Sequence, residues 1–355
     1  MSLQEKRGDP TRKRLAKAVG PPSGSMDYKQ LGSSGLRVSE VCLGAMTFGR
    51  ADWGAGPEES RRVFEAYVEA GGNFVDTANN YADGRSEEIV GQLLNDDRDR
   101  FVLATKYTAP IRSGDVNAFG NHRKSLVGSL DQSLRRLRTD YIDLLWVHVW
   151  DGVTPVEEMM RALDDQVRAG KVLYLGISDA PAWAVAEANA LARVRGWTPF
   201  SAIQIEYSLV ERTVERELIP LAARRGLSVL AWGPLGGGLL TGKYVATEGA
   251  AERAEGRLQE GDRRLTQRNL EIADVVRDVA AQLQCPPAQV ALAWLRSRGR
   301  FVIPIVGART AEQLRSSLGY LDVELSGEQL QSLESVSAVS MGFPGEMLAR
   351  FGIQP

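Results

Sequence analysis

The chain has 355 residues, of which 43% are hydrophobic and 25% charged, with a formal net charge of −2. These totals suit a soluble globular protein whose core needs no staples, and they argue against a general affinity for nucleic acid or anionic membrane. Two cysteines, Cys42 and Cys285, and two histidines, His122 and His148, leave a disulfide framework and a zinc site without enough ligands, and no motif supports a carboxylate-only magnesium site.

Residues 1–25 carry six basic and two acidic residues and run into Pro-Pro-Ser-Gly-Ser. They read as a flexible basic tail or an artificial extension ahead of an internal start at Met26. "YKQLGSSGLRVSE" from Tyr28 then has the pattern of a hairpin with a Gly-Ser turn. Beyond it, short apolar runs alternate with helical periodicity. The pairs are "VCLGAMTF" and 59–72, "NFVDT" and "SEEIVGQLL", "FVLATK" and 121–138, and "IDLLWVHVW" and 154–170. They continue with "VLYLGIS" and 182–196, "AIQIEYS" and 215–226, "LSVLAWGPL" and two helical patterns at 266–283 and 288–298, and "FVIPIVG" and 310–319. Thr154 is the expected N-cap of the fourth helix, with Pro155 in its first turn. A Gly- and Arg-rich loop runs to about Arg264, and a last helix, "SGEQLQSLESV", follows the eighth unit.

Near-continuous apolar strands belong to a parallel sheet covered on both faces. Eight such units predict an α/β fold, a (β/α)8 TIM barrel over residues 26–355, with an N-terminal β-hairpin closing its lower mouth and an extra C-terminal helix. No strand is followed by G-x-G-x-x-G, so a Rossmann pyrophosphate turn has no support. "GGLLTGKY" from Gly237 fits G-x-x-x-x-G-K, but Tyr244 stands where a P-loop needs a Ser or Thr for magnesium. No apolar run reaches membrane-spanning length, and a reducing cytoplasm is the expected compartment.

Barrel enzymes take catalytic groups from the C-terminal ends of several strands. Here those ends carry Asp76, Lys106 and His148, and Tyr81 lies in the loop after the second strand. Singly, each has a bland explanation: a cap, a packing ring, a solvated strand end, a core histidine. Together they suit a phenol that protonates a developing alkoxide, a lysine that lowers the phenol's pKa, a carboxylate that holds the lysine, and an imidazole that orients a substrate oxygen. His122, in a polar helix start, reads as a surface or capping residue.

Several segments in order resemble the aldo-keto reductase superfamily from about Tyr28 to Ser337: "NFVDTANNYADGRSEEIVGQLL", "LATK", "DLLWVHVWD", "AGKVLYLGIS", "IQIEYSLVER", "LAWGPLGGGLLTGKY" and "IPIVGARTAEQL". The resemblance is greatest to the aryl-alcohol-dehydrogenase-like branch and extends to potassium-channel β subunits. It implies that Tyr81 is the proton donor, that Lys106 and Asp76 tune it, and that His148 orients the carbonyl. It implies NADP(H) across the mouth, with Ser178, Asp179 and Gln204 at the carboxamide and Trp232 stacked on the nicotinamide. Gly233, Pro234, Leu235, Gly237, Leu239, Gly242 and Lys243 match the pyrophosphate loop. Gly307, Arg309, Gln313 and Ser317 match the adenosine segment, where Arg309 suits a 2′-phosphate.

Asp179 and Ser317 stand where many members have Asn. The substrate is expected to be an aryl or alkyl aldehyde or ketone, against Met46, Phe48, Trp53, Tyr107, Trp150 and the tail near Met341–Phe351. The rival expectation is a cofactor-holding regulatory protein like the channel β subunits. Oligomeric state is not legible.

Overall fold

A computed structural model describes residues 26–50, 52–110, 114–244, 258–259 and 261–353. The expected basic tail and most of the Gly- and Arg-rich loop lie outside the described residues.

Eight parallel strands close into a barrel: β3 (Cys42–Gly44), β4 (Phe74–Asp76), β5 (Val102–Tyr107), β6 (Ile142–Val147), β7 (Val172–Ser178), β8 (Phe200–Glu206), β9 (Ser228–Trp232) and β10 (Val302–Val306), with β10 returning to β3. The covering helices are α1 (Pro57–Glu69), α2 (Arg85–Leu94), α3 (Arg123–Leu137), α4 (Val156–Arg168), α5 (Ala182–Arg195), α6 (Leu218–Arg225), α7 (Gln267–Leu283), α8 (Pro287–Ser297) and α9 (Ala311–Leu318). This is the (β/α)8 architecture that the alternating pattern predicts. Among the described residues, no helix is long and apolar enough to cross a membrane.

Alternation along each strand sorts side chains between two cores. Leu43, Val75, Leu103, Leu145, Leu175, Ile203 and Val229 face the helices. Cys42, Phe74, Val102, Ala104, Leu144, Trp146, Ala202, Leu230 and Ile303 pack in the lumen. The fully buried Trp146 lies against Gly176, where a Cβ would come within 2.3 Å of the indole. Only glycine permits that approach, and the β7–β8 register shifts at the same point.

Below this layer sits the hairpin of β1 (Tyr28–Gln30) and β2 (Arg37–Ser39), paired antiparallel. Leu31 and Val38 enter the lumen cluster. Lys29 donates to the carbonyl of Val302 at 3.1 Å, and Gly32 N–H to Ser228 Oγ at 2.7 Å. The hairpin therefore plugs the N-terminal mouth, as expected.

Three local expectations are corrected. Thr154 is not the cap of α4. Pro155 occupies that position, and the Thr154 hydroxyl is bonded to Asp151 at 2.6 Å. The helix read at 215–226 shortens to α6, because Thr213–Arg216 forms a separate 3-10 turn. Beyond α10 (Gly327–Ser337) there is a further helix, α11 (Gly342–Arg350). It buries none of its residues.

Candidate active site

At the C-terminal ends of the strands the inward phase continues past the apolar layer. Phe74 leads to Asp76, Ala104 to Lys106, Trp146 to His148, Gly176 to Ser178, Ala202 to Gln204, and Leu230 to Trp232. The same alternation that fills the lumen with apolar groups thus aims Asp76, His148, Ser178, Gln204 and Trp232 into one cavity of about 1350 Å³, with Lys106 buried just beneath its wall. That exceeds the ~300–1,000 Å³ of an ordinary small-ligand pocket and suits a dinucleotide together with a second molecule.

At the cavity floor, Lys106 is 1% exposed and its ammonium lies 2.5 Å from an Asp76 oxygen. It also donates to the Thr77 carbonyl at 2.8 Å. The other Asp76 oxygen accepts from the Gln204 amide at 3.1 Å. Tyr81 reaches over this pair, its ring 4.7 Å from the Lys106 ammonium. The His148 ring meets Tyr81 edge-on, with centroids 5.9 Å apart and planes at 81°.

The loop that brings Tyr81 back is tight. Asn79 N–H bonds the Lys106 carbonyl at 3.2 Å, and Ala82 and Asp83 have φ of 50° and 55°. Such left-handed backbone costs about 1 kcal/mol or more per non-glycine residue. Buried polar bonds hold the start of α2 beneath it: Ser86 Oγ to the Ala45 carbonyl at 2.7 Å, and Thr105 Oγ1 to Glu87 at 2.6 Å.

The electrostatics follow from burial. Burial opposes the charge on Lys106, yet Asp76 and Tyr81 outweigh it and raise its pKa, so it stays an ammonium. Burial raises the Tyr81 phenol, and Lys106 pulls it down by less. The lysine thus pulls in the expected direction, but burial outweighs it and the net direction is upward. Burial and then Lys106 push His148 down to about 3, which leaves a neutral imidazole. Its Nδ1 is buried without a hydrogen-bond partner among the described residues. Burial also raises Asp179, against the Trp232 indole N–H that donates to it at 3.1 Å. Among the described residues, no group of three or more His, Cys, Asp or Glu is arranged to hold a metal ion.

Of the residues expected at a cofactor, Ser178, Asp179, Gln204, Trp232, Gly233, Pro234, Leu235, Gly237, Lys243, Gly307, Arg309, Gln313 and Ser317 line the cavity. Leu239 is buried beneath the loop with Tyr244 and Leu258, and Gly242 ends the turn without reaching the wall. The loop has the form of an anion cradle. Gly236, Gly237 and Gly238 all have positive φ, and a Cβ on Gly237 would meet Arg264 Nη1 at 2.9 Å. Glycines in that conformation let phosphate oxygens come close to the backbone and to Lys243, although the Gly236 and Gly238 N–H groups already donate to the Gly233 and Leu235 carbonyls at 2.8 and 2.9 Å.

Of the residues expected at the substrate, Met46 and Trp53 line the cavity. Phe48 and Tyr107 are fully buried in the core, and the Tyr107 hydroxyl donates to the Asn121 carbonyl at 3.2 Å. Trp150 lies beside the mouth, edge-on to Trp183 at 5.9 Å. The tail does not contribute to the cavity wall, and Phe343 is 87% exposed. Sequence reading missed Thr47, Asn80, Glu206 and Arg264, which also line the cavity. Glu206 shares the inward phase of Gln204, a signal that could have found it. It pairs with Arg263 at 3.4 Å and Arg264 at 3.8 Å, on the cradle side.

A closed eight-stranded barrel with an acid–lysine pair under a tyrosine at its C-terminal mouth defines a class, and sequence comparison agrees with it. The profile of the aldo/keto reductase family matches residues 40–338, and the chain belongs to that family of oxidoreductases. Norsolorinic acid reductase of Emericella nidulans is 41% identical over 342 residues, spanning 92% of this chain and 86% of its own. An aryl-alcohol dehydrogenase [NADP(+)] of Phanerodontia chrysosporium is 38% identical, spanning 93% and 90% of the two chains. An aryl-alcohol dehydrogenase of Pestalotiopsis microspora is 37% identical, spanning 90% and 84%.

Proposed function

We propose that this protein reduces aldehydes or ketones to alcohols, using NADPH as the reductant and Tyr81 as the general acid. The observation that carries the reading is the buried Lys106–Asp76 pair at 2.5 Å directly beneath the Tyr81 ring. Its relatives' names, norsolorinic acid reductase and aryl-alcohol dehydrogenase [NADP(+)], support both the reaction and the cofactor.

The residues fit a dinucleotide. The cradle from Gly233 to Lys243 takes the pyrophosphate, and Trp232 offers an indole face to the nicotinamide ring. Ser178, Asp179 and Gln204 offer polar partners to the carboxamide. The exposed guanidinium of Arg309 suits a 2′-phosphate, which favours NADP over NAD. When bound, the reduced nicotinamide supplies the hydride.

The chain's own groups handle the oxygen. A carbonyl oxygen between Tyr81 and His148 gains charge as the hydride arrives. The Tyr81 phenol, kept protonated by burial, gives its proton to that oxygen. Lys106, kept cationic by Asp76, stabilises the phenolate left behind. His148, held neutral, donates or accepts a hydrogen bond without competing for the proton. Met46 and Trp53 give the carbonyl's substituents an apolar wall.

The test is NADPH consumption with a panel of aromatic and aliphatic aldehydes, in wild type and Tyr81→Phe. Turnover that vanishes in the variant while NADPH still binds supports the proposal. Undiminished turnover in the variant rules out Tyr81 as the acid.

A further inference from the structure

Lys106 and His148 sit at the ends of adjacent strands, β5 and β6, and buried polar residues join those ends below the mouth. Thr108, two residues past Lys106, is fully buried with φ 96°. A β-branched residue reaches that region only under strain, so its surroundings must hold it there. Its carbonyl accepts from Gly120 N–H at 3.1 Å. Its hydroxyl oxygen accepts from the Asn121 amide at 3.1 Å and from His148 N–H at 3.3 Å, a donor it shares with the Tyr107 carbonyl at 3.2 Å.

Asn121 is also fully buried. Its Nδ2 donates again, to the Val149 carbonyl at 2.9 Å. Its Oδ1 accepts from Asp151 N–H at 2.9 Å, and its own N–H donates to the Asp151 carboxylate at 2.7 Å. Asp151 is fixed in turn by the N–H groups of Val153 and Thr154 at 3.0 and 2.9 Å. One asparagine side chain thus makes all its bonds to the two segments that leave β5 and β6. The His148 ring has no comparable anchor, because its Nδ1 is unpartnered among the described residues. Its aim depends on where the backbone at 148 is held.

We infer that Asn121, acting through Thr108, is a positioning residue that fixes His148 relative to Lys106 and Tyr81. Neither Asn121 nor Thr108 lines the cavity, so neither touches the reacting atoms. The catalytic meaning of this inference rests on the reductase reading above; the positioning itself does not.

The test uses the full chain with Thr108→Val, Thr108→Ser and Asn121→Leu. The His148 ring is followed by NMR, its signals assigned by their loss in His148→Gln. NADPH affinity and the kcat and KM for benzaldehyde are measured beside it. Thr108→Val and Asn121→Leu should shift or broaden the His148 signals. They should lower kcat about tenfold or more, with NADPH affinity changed by less than about twofold. Thr108→Ser, which keeps the hydroxyl, should restore both. If Asn121→Leu fails to fold, the Thr108 pair decides alone. An unmoved His148 ring in Thr108→Val overturns the inference. A moved ring with an unchanged kcat overturns its catalytic half. A wild type that turns over no aldehyde sinks the reductase reading and that half with it, while the ring still decides the positioning.

Discussion

The lower end of the barrel is filled by Leu31 and Val38 of the hairpin against Cys42, Phe74, Val102 and Ile303. The upper end, built from the same inward positions two or four residues later, carries Asp76, Lys106, His148 and Gln204. Burying an ion pair as Lys106 and Asp76 are buried costs several kcal/mol of desolvation per ion, which their attraction offsets only with good geometry and extra hydrogen bonds. Apolar residues in their place would hold a barrel together as well or better. The lower end is thus organised for stability, and the upper end gives up stability for a defined protonation state.

The sharpest separation comes from Tyr81→Phe. Removing the phenolic proton should cut kcat by about 10²–10⁴-fold, the usual worth of a general acid, with little change in thermal midpoint. Steady-state kinetics beside a melting curve would check it, and a large loss of stability would break the contrast.

Leu31→Ala addresses the other end. It should cost about 2–5 kcal/mol in chemical denaturation, as buried leucines do, while kcat per folded molecule holds. A collapse of kcat in the folded fraction would mean that the plug shapes the site.

Arg309→Ala should weaken NADPH about tenfold and leave NADH nearly unchanged, since an arginine–phosphate contact of roughly 1.4 kcal/mol is lost for one dinucleotide only. Titration of both cofactors reads this directly. Equal losses would remove Arg309 from cofactor discrimination.

The smallest effect concerns acid. The half-buried His148 is down at about 3, whereas an unfolded histidine titrates near ~6.5. As pH falls through that window the unfolded chain takes up the proton first, so folded stability drops with it. Denaturation midpoints across the window should fall less steeply in His148→Gln, by about 1–2 kcal/mol after discounting for partial exposure. Identical slopes would mean that the imidazole is protonated in the fold.

Much of this was readable in the chain because one periodicity serves both ends. Once Phe74 and Ala104 are assigned to the lumen, alternation carries Asp76 and Lys106 to the same side. The same rule puts Tyr107, next to Lys106, among the helices, a signal that the substrate expectation overlooked. Phe48 lies in a loop, where no period applies, so its burial was open until the path of the chain was known. Asn121 was missed because its partner Thr108 comes from a separate turn, and Thr154 was misread because Asp151, three residues earlier, takes its hydroxyl. The helix at Gly342–Arg350 carries Pro344 and Gly345, residues that argue against a helix by propensity. The pull of Lys106 on the Tyr81 phenol was legible from charge, but the larger opposing effect of burial was not.

The seam between β10 and β3 pairs Ile305 with Cys42, and Lys29 reaches the carbonyl of Val302, 273 positions away. On the ribosome, the first strand of the barrel must therefore wait for the last. Until Val302–Val306 emerges, the growing sheet has two open edges, the hairpin lacks part of its floor, and unpaired strands are exposed to neighbouring chains. Closure is a late, long-range step, the kind that slows folding most. A chain stopped short of that seam keeps Asp76, Tyr81, Lys106 and His148 yet is left with an unclosed, aggregation-prone sheet.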